Sequence, residues 1–226
     1  LNIFKIKKYH QRGIYEVLTA ICFFTGLILL PVAEVYTLLM TNPFFVTIFA
    51  FLFLKEKVGI RRWAAVIIGF IGVIIVINPQ NINFNFLFMF PIIAAVFLTI
   101  RDIATKGIAT KTNSFEIIFI TSVLMTLSSG IGSLFFEFTF RIEYLPNLFT
   151  SSIFLTVAYI FSVLTIFYAP LSLTASSRYT VIVFGMIFGY LILNEIPSTN
   201  MIIGGTIISL SGLFVINREK KLGKID

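Results

Sequence analysis

Residues 35–54 read VYTLLMTNPFFVTIFAFLFL. The stretch carries no charge and no alternation of apolar with polar residues. It has the length of a bilayer-spanning helix, about 20 mainly apolar residues. A membrane barrel strand would be about 10 residues with alternating polarity. A helix satisfies its own backbone hydrogen bonds in lipid, so the run reads as a spanning helix. The reading extends outward. Residues 17–33 (VLTAICFFTGLILLPVA) form a second uncharged run upstream. Residues 63–100 are too long for one span and contain Asn78-Pro79-Gln80-Asn81, a turn signal that divides them in two. Residues 117–136, 149–168 (ending before Pro170), 173–194 and 196–217 bring the total to eight. The expected fold is an all-α integral membrane protein, a helical bundle of eight visible transmembrane helices.

Composition supports this. The chain is 58% hydrophobic and 12% charged, against about 45–50% and about 25% in soluble domains. Too little charge remains to cover a water-facing surface. A disordered chain is excluded as well, because that class combines low hydrophobicity with high charge. Cys22 is the one cysteine and His10 the one histidine. That excludes a disulfide framework, a multi-thiolate metal site and an HExxH site, and argues against a Ser/His/Asp triad. The GxxxxGK[ST] phosphate loop is absent from the sequence, so ATP hydrolysis has no support. No catalytic residue, metal or cofactor is expected, and clustered acid–base groups for a membrane enzyme are not visible. Residues 1–13, with Lys5, Lys7, Lys8 and Arg12, read as a solvated inter-helix loop rather than a signal peptide.

Basic residues set the orientation. With loops on alternating sides, Lys5, Lys7, Lys8, Arg12, Lys55, Lys57, Arg61, Arg62, Arg101, Lys106, Lys111, Arg178, Arg218, Lys220, Lys221 and Lys224 fall on one side. Arg141 alone falls on the other. The crowded side is cytoplasmic by the positive-inside rule, which puts both visible ends in the cytoplasm. The net charge of +7 is then a topology signal, and no nucleic-acid partner is needed to explain it.

An internal repeat is visible. LPVAEVYTLLMTNPFFVTIFAFLFLKE (30–56) and APLSLTASSRYTVIVFGMIFGYLILNE (169–195) share an order: a proline, a polar start, an apolar run ending in Leu-x-Glu, then a glycine-bearing helix. Pro31 aligns with Pro170, Leu52 with Leu191, Leu54 with Leu193 and Glu56 with Glu195. The first copy ends in basic residues and the second in none, so the two have opposite orientation. Inverted repeats are a device of secondary transporters, which bind substrate near the midplane between the halves. The spacing leaves room for two further helices upstream of Leu1, and the chain reads as a fragment lacking them.

These residues resemble the EamA family of the drug/metabolite transporter superfamily. In the first half the resemblance rests on the segment from Leu30 through KEKVGIRRWAAVIIGFIGVIIVINP. In the second it rests on SSRYTVIVFGMIFGYLILNEIPS and IIGGTIISLSGLFVINREKK. It implies a ten-helix transporter of two inverted five-helix repeats. Residues 1–80 would hold the end of the first repeat (helices 3–5), 84–217 the second (helices 6–10), and 218–226 a basic cytoplasmic tail. Arg178-Tyr179 and the Glu-x-Pro at 195–197 resemble a branch that includes S-adenosylmethionine and riboflavin carriers. Ile182 stands where the ninth helix of the family often has proline, whereas its counterpart Pro43 is present.

The candidate residues each have two readings. Arg178, inside the cytoplasmic end of its span, either binds a carboxylate or phosphate or snorkels to headgroups. Tyr179 stacks on a substrate or serves as an interface aromatic. Thr37, Thr41 and Asn42 line a pathway hinged at Pro43, or bond neighbouring helices. Tyr159, Ser162 and Tyr168, and likewise Thr19, Cys22 and Thr25, repeat that choice with packing the stronger reading. Arg101 and Asp102, ending their helix, form a cytoplasmic-end ion pair or a gate. Glu56 and Glu195 close the two repeats as fixed ends or gates. Gly69, Gly72, Gly185, Gly189 and Gly212 allow close helix approach, with Gly185 and Gly189 also suited to a repeat interface or a homodimer contact. No carboxylate is expected at the centre of a helix. The resulting expectation is a bacterial inner-membrane secondary transporter of a small metabolite: an amino acid or derivative, or a cofactor-like molecule. The bilayer and a small-molecule substrate are its partners. The alternative is a non-transporting membrane scaffold or sensor.

Overall fold

A computed structural model describes residues 7–53, 59–77, 86–109, 113–135, 141–169, 171, 174, 178, 180–194, 196 and 198–221. The described residues form nine α-helices and two single 3-10 turns, Phe86–Phe88 and Ile142–Tyr144. The helices are α1 (Lys7–Leu29), α2 (Val32–Leu39), α3 (Asn42–Phe53), α4 (Ile60–Ile77), α5 (Met89–Ile108), α6 (Ser114–Ser133), α7 (Leu145–Tyr168), α8 (Thr180–Leu193) and α9 (Thr199–Lys221). Among the described residues, five stretches are long and apolar enough to cross a membrane: Lys7–Leu29, Glu34–Phe53, Phe86–Ile108, Ser114–Ser133 and Ile142–Tyr168. The expected helical membrane fold is therefore present.

Large apolar side chains cover the outside. Ile28 is 83% exposed, Phe154 71% and Leu191 66%. Such a surface suits lipid. The interior instead holds Arg12, Asn42, Thr99, Arg101, Asp102, Thr105 and Thr121. Helices in lipid gain little from hiding apolar surface, so close packing and polar contacts hold them together.

Several boundaries differ from the sequence expectation. α1 starts at Lys7, so Arg12 lies within a helix and is buried, not in a solvated loop. The second span is two helices: α2 ends at Leu39 and α3 begins at Asn42, with Met40 and Thr41 as the break. Pro43 sits in the first turn of α3, where its missing N–H costs nothing. The break thus precedes the proline. α5 runs past Arg101 and Asp102 to Ile108, because the pair is buried and compensated and no helix end is needed. Glu16 lies near the middle of α1 (Lys7–Leu29), so the expected lack of a carboxylate at the centre of a helix does not hold. α9 continues through Lys221, taking in part of the expected tail. The turn at 78–81 lies outside the described residues.

Packing places α5 at the centre, against α1, α2, α3 and α7. α1 also packs on α6, and α2 on α8. α4 and α9 form a closely packed pair. A Cβ at Gly72 would stand 2.8 Å from Ile208 Cγ1 and 2.9 Å from the Gly204 carbonyl oxygen. Only a hydrogen fits between these two backbones. Met40, Val73 and Ile208 are buried together beside that contact. The end of α5 holds the end of α7: Lys106 Nζ donates to the carbonyls of Ile166 (3.1 Å) and Ala169 (2.8 Å). A cation there satisfies carbonyls that the helix end leaves open.

Candidate functional site

Arg12 and Glu16 are four residues apart on α1 and share a face. Arg12 Nη2 lies 2.9 Å from Glu16 Oε2. The other carboxylate oxygen, Glu16 Oε1, lies 2.6 Å from Arg101 Nη1 on α5. Arg101 turns its Nε and Nη2 onto Asp102 Oδ1, at 3.0 and 2.7 Å. Asp102 Oδ2 meets Arg178 Nη1 at 2.6 Å. The result is an unbroken row, Arg12–Glu16–Arg101–Asp102–Arg178, in which positive and negative charges alternate and each carboxylate oxygen faces a guanidinium nitrogen. Three guanidiniums flank two carboxylates.

Neutral groups finish the row at both ends. Arg12 Nη1 donates to Thr121 Oγ1 on α6 (2.5 Å) and to the Tyr159 hydroxyl on α7 (2.7 Å), and its Nε donates to Thr105 Oγ1 (3.1 Å). The Tyr159 hydroxyl donates in turn to Glu16 Oε2 (3.1 Å). Arg12 also lies 5.8 Å from the centre of the Tyr159 ring, within cation–π range. At the far end, Arg178 Nη1 donates to Asn42 Oδ1 (3.1 Å), and Asn42 Nδ2 donates to Thr99 Oγ1 (2.8 Å). Arg178 Nη2 is buried and has no hydrogen-bond partner among the described residues.

The local fold explains these positions. The break at Met40–Thr41 ends α2 and lets Asn42 start α3 inside the bundle, with none of its surface exposed. Arg178 stands in a turn just before α8, not within a continuous helix, and its carbonyl accepts from Val181 N (3.0 Å). A cation at a helix N-terminus is disfavoured by the helix dipole. Asp102 and Asn42 offset that. Isolated buried charges cost several kcal/mol each, whereas paired and hydrogen-bonded ones survive.

Arg178, Asn42, Arg101, Asp102 and Tyr159, drawn from four separate sequence regions, meet in this row. Arg178 is thus turned inward onto Asp102, and headgroup snorkelling does not describe it. Ser162 lies half-buried on α7 outside the row. Thr37 is buried on α2. Thr41 donates to the Leu38 carbonyl (2.8 Å) and Thr19 to the Tyr15 carbonyl (2.7 Å), so both hydroxyls serve their own helices. Gly69, Gly72 and Gly212 are buried on α4 and α9. Tyr179, Glu56 and Glu195 lie outside the described residues, as do the surroundings of Gly185 and Gly189. The sequence reading missed Arg12, Glu16, Thr99, Thr105 and Thr121. A signal for the first two was present, since Arg12 and Glu16 stand at helical spacing directly before an apolar run.

Residues 12–78 match the EamA-like transporter family, the family that the sequence resembles. Over 200 residues the chain is 28% identical to the S-adenosylmethionine uptake transporter of Rickettsia prowazekii (strain Madrid E), covering 87% of this chain and 67% of that protein. Over 96 residues it is 34% identical to the riboflavin transporter of Vibrio cholerae serotype O1, covering 42% of this chain and 32% of that protein. A solved crystal structure of a protein shares the fold at a TM-score of 0.70, with 15% identity over 93% of this chain and 75% of that one.

Proposed function

We infer that this chain, with its match to the EamA-like transporter family, works as a secondary transporter of a small metabolite in a bacterial membrane. The apolar helices, the family match and the bacterial relatives support a multi-pass bacterial membrane protein of transporter kind. The observation that carries the finer reading is the buried row of charges beside a broken helix. Charges inside a membrane bundle mark substrate or ion pathways. Discontinuous helices are a recurring feature of transporter binding sites.

In this reading Arg178 is the substrate-contacting group. Its Nη2 has no hydrogen-bond partner among the described residues, and Nη1 is shared between Asp102 and Asn42. A carboxylate or phosphate on the substrate accepts from Nη2, and Asp102 keeps the guanidinium aimed. Asn42, at the start of α3, supplies the second polar contact. Tyr159, Arg12 and Glu16 hold the other end of the row closed. The two halves, 1–80 and 84–217, rock as inverted repeats around this site, with both visible ends cytoplasmic. The pairing of α4 with α9 supports that symmetry, because each is the last helix of its proposed half. The proposed cargo is an amino-acid derivative or cofactor-like molecule, and S-adenosylmethionine, carried by one named relative, is the first compound to try.

The test is uptake of labelled S-adenosylmethionine into proteoliposomes holding the full protein, with riboflavin and free amino acids as competitors. Saturable accumulation that falls at least tenfold in Arg178→Gln, with the variant still monodisperse, supports the assignment. Accumulation equal in both proteins removes Arg178 from the site. If no compound in the panel accumulates or competes, the metabolite-transport reading fails.

A further inference from the structure

An open groove of about 380 Å3 runs along the seam between α4 and α9, within the size range of ligand sites, about 300–1,000 Å3. Ala64 and Ile68 form one wall, and Ile207, Leu210 and Phe214 the other. The small side chain of Ala64 leaves the space. Arg61 lines one end, in the first turn of α4. Arg218, near the end of α9, reaches the same end of the pair: its Nη2 lies 3.1 Å from where a Cβ on Gly59 would stand. Among the described residues neither arginine takes part in an ion pair. The groove lies far from the charge row in sequence and shares no residue with it.

The geometry points to a phospholipid site with preference for an anionic headgroup. One acyl chain lies along the apolar walls, and the headgroup phosphate, not neutralised by a headgroup cation, accepts from Arg61, with Arg218 adding positive potential. Charge decides the occupant. A guanidinium fork matches phosphate oxygens, and cationic side chains at a membrane surface attract anionic lipid. A second copy packed here about a two-fold axis along the membrane normal would set Arg61 and Arg218 against their own counterparts. The inference rests on the membrane placement and is independent of transport.

The test is native mass spectrometry of the full protein released from detergent containing equimolar phosphatidylglycerol and phosphatidylcholine with identical acyl chains. Wild type is expected to retain phosphatidylglycerol about fivefold over phosphatidylcholine. Arg61→Gln is expected to bring that ratio near one. Ala64→Phe, which fills the groove, is expected to lower retention of both lipids. Arg61 and Ala64 are both exposed, so folding is not at stake, and an unchanged melting temperature checks this. A wild-type ratio near one, or a preference that persists in Arg61→Gln, overturns the proposal. So does a lipid-free dimer that Ala64→Phe abolishes, which would give the face to a second copy. Adduct mass does not depend on transport, so this inference and the transport reading fail separately.

Discussion

Asp102 Oδ2 and Arg178 Nη1 lie 2.6 Å apart, joining the middle of α5 to the turn before α8. Asp102 also holds Arg101 through its other oxygen. One carboxylate therefore compensates two guanidiniums. Asp102→Asn leaves both facing a neutral amide. Breaking a buried pair in this way costs about 3–5 kcal/mol. The expected outcome is a large loss of stability, larger than for Arg178→Gln, which leaves Asp102 still paired with Arg101. Unfolding curves in mixed micelles, compared between the two variants, check the order. Equal losses would mean that Asp102 is not the hub.

Tyr159→Phe keeps the ring near Arg12 and removes only the hydroxyl. That hydroxyl accepts from Arg12 and donates to Glu16. Two hydrogen bonds to charged groups disappear, while Arg12 keeps Thr105 and Thr121. The expected loss is about 1.5–3 kcal/mol for each bond, read as a lower melting temperature in detergent. An unchanged value would show that the end of the row is held without the phenol.

Asn42→Ala disconnects Arg178 from the start of α3 and removes the link from α3 to Thr99. Transport is expected to fall by about tenfold or more, following the roughly 1.5–3 kcal/mol attached to a hydrogen bond with a charged partner. Asn42→Asp keeps an acceptor for Arg178 and should retain more activity than Asn42→Ala. The comparison is initial uptake rate at equal protein content.

Gly72→Ala places a methyl 2.8 Å from Ile208 Cγ1 and 2.9 Å from a backbone oxygen. α4 and α9 must separate to admit it, at a cost of about 1–3 kcal/mol. Gly130→Ala on α6 meets nothing within 4 Å and should be neutral or stabilising by up to about 1 kcal/mol. Thermal melts of the two variants side by side give opposite signs if the seam is as tight as described.

The spans were legible because long apolar runs cannot be hidden in a sequence: residues 42–53, 117–133 and 149–168 of three such runs fall on α3, α6 and α7. The same criterion concealed the site. Treating charge as the edge of a span cut α1 at Val17, which put Arg12 in a loop, and ended α5 at Arg101. In the folded chain those charges sit inside helices because partners from other helices neutralise them. Hydropathy along one chain carries no record of such partners. Arg178 was legible as a lone cation in an apolar run. Its partner Asp102 was visible only as the second half of an apparent helix-end pair. The break before Asn42 was signalled by Pro43, and its displacement to Met40–Thr41 reflects the place proline prefers, in a helix's first turn rather than its middle.

The salt bridge from Glu16 to Arg101 also sets which movements the bundle has open to it. Sliding α1 along α5 by one helical turn, about 5.4 Å, would carry the 2.6 Å contact beyond hydrogen-bond reach and pull Arg12 off Thr105, which is also on α5. The two helices are pinned in register like a peg in a socket. Shear of that size between them breaks these contacts, whereas tilting the two helices as a single lever, a hinge motion, keeps them.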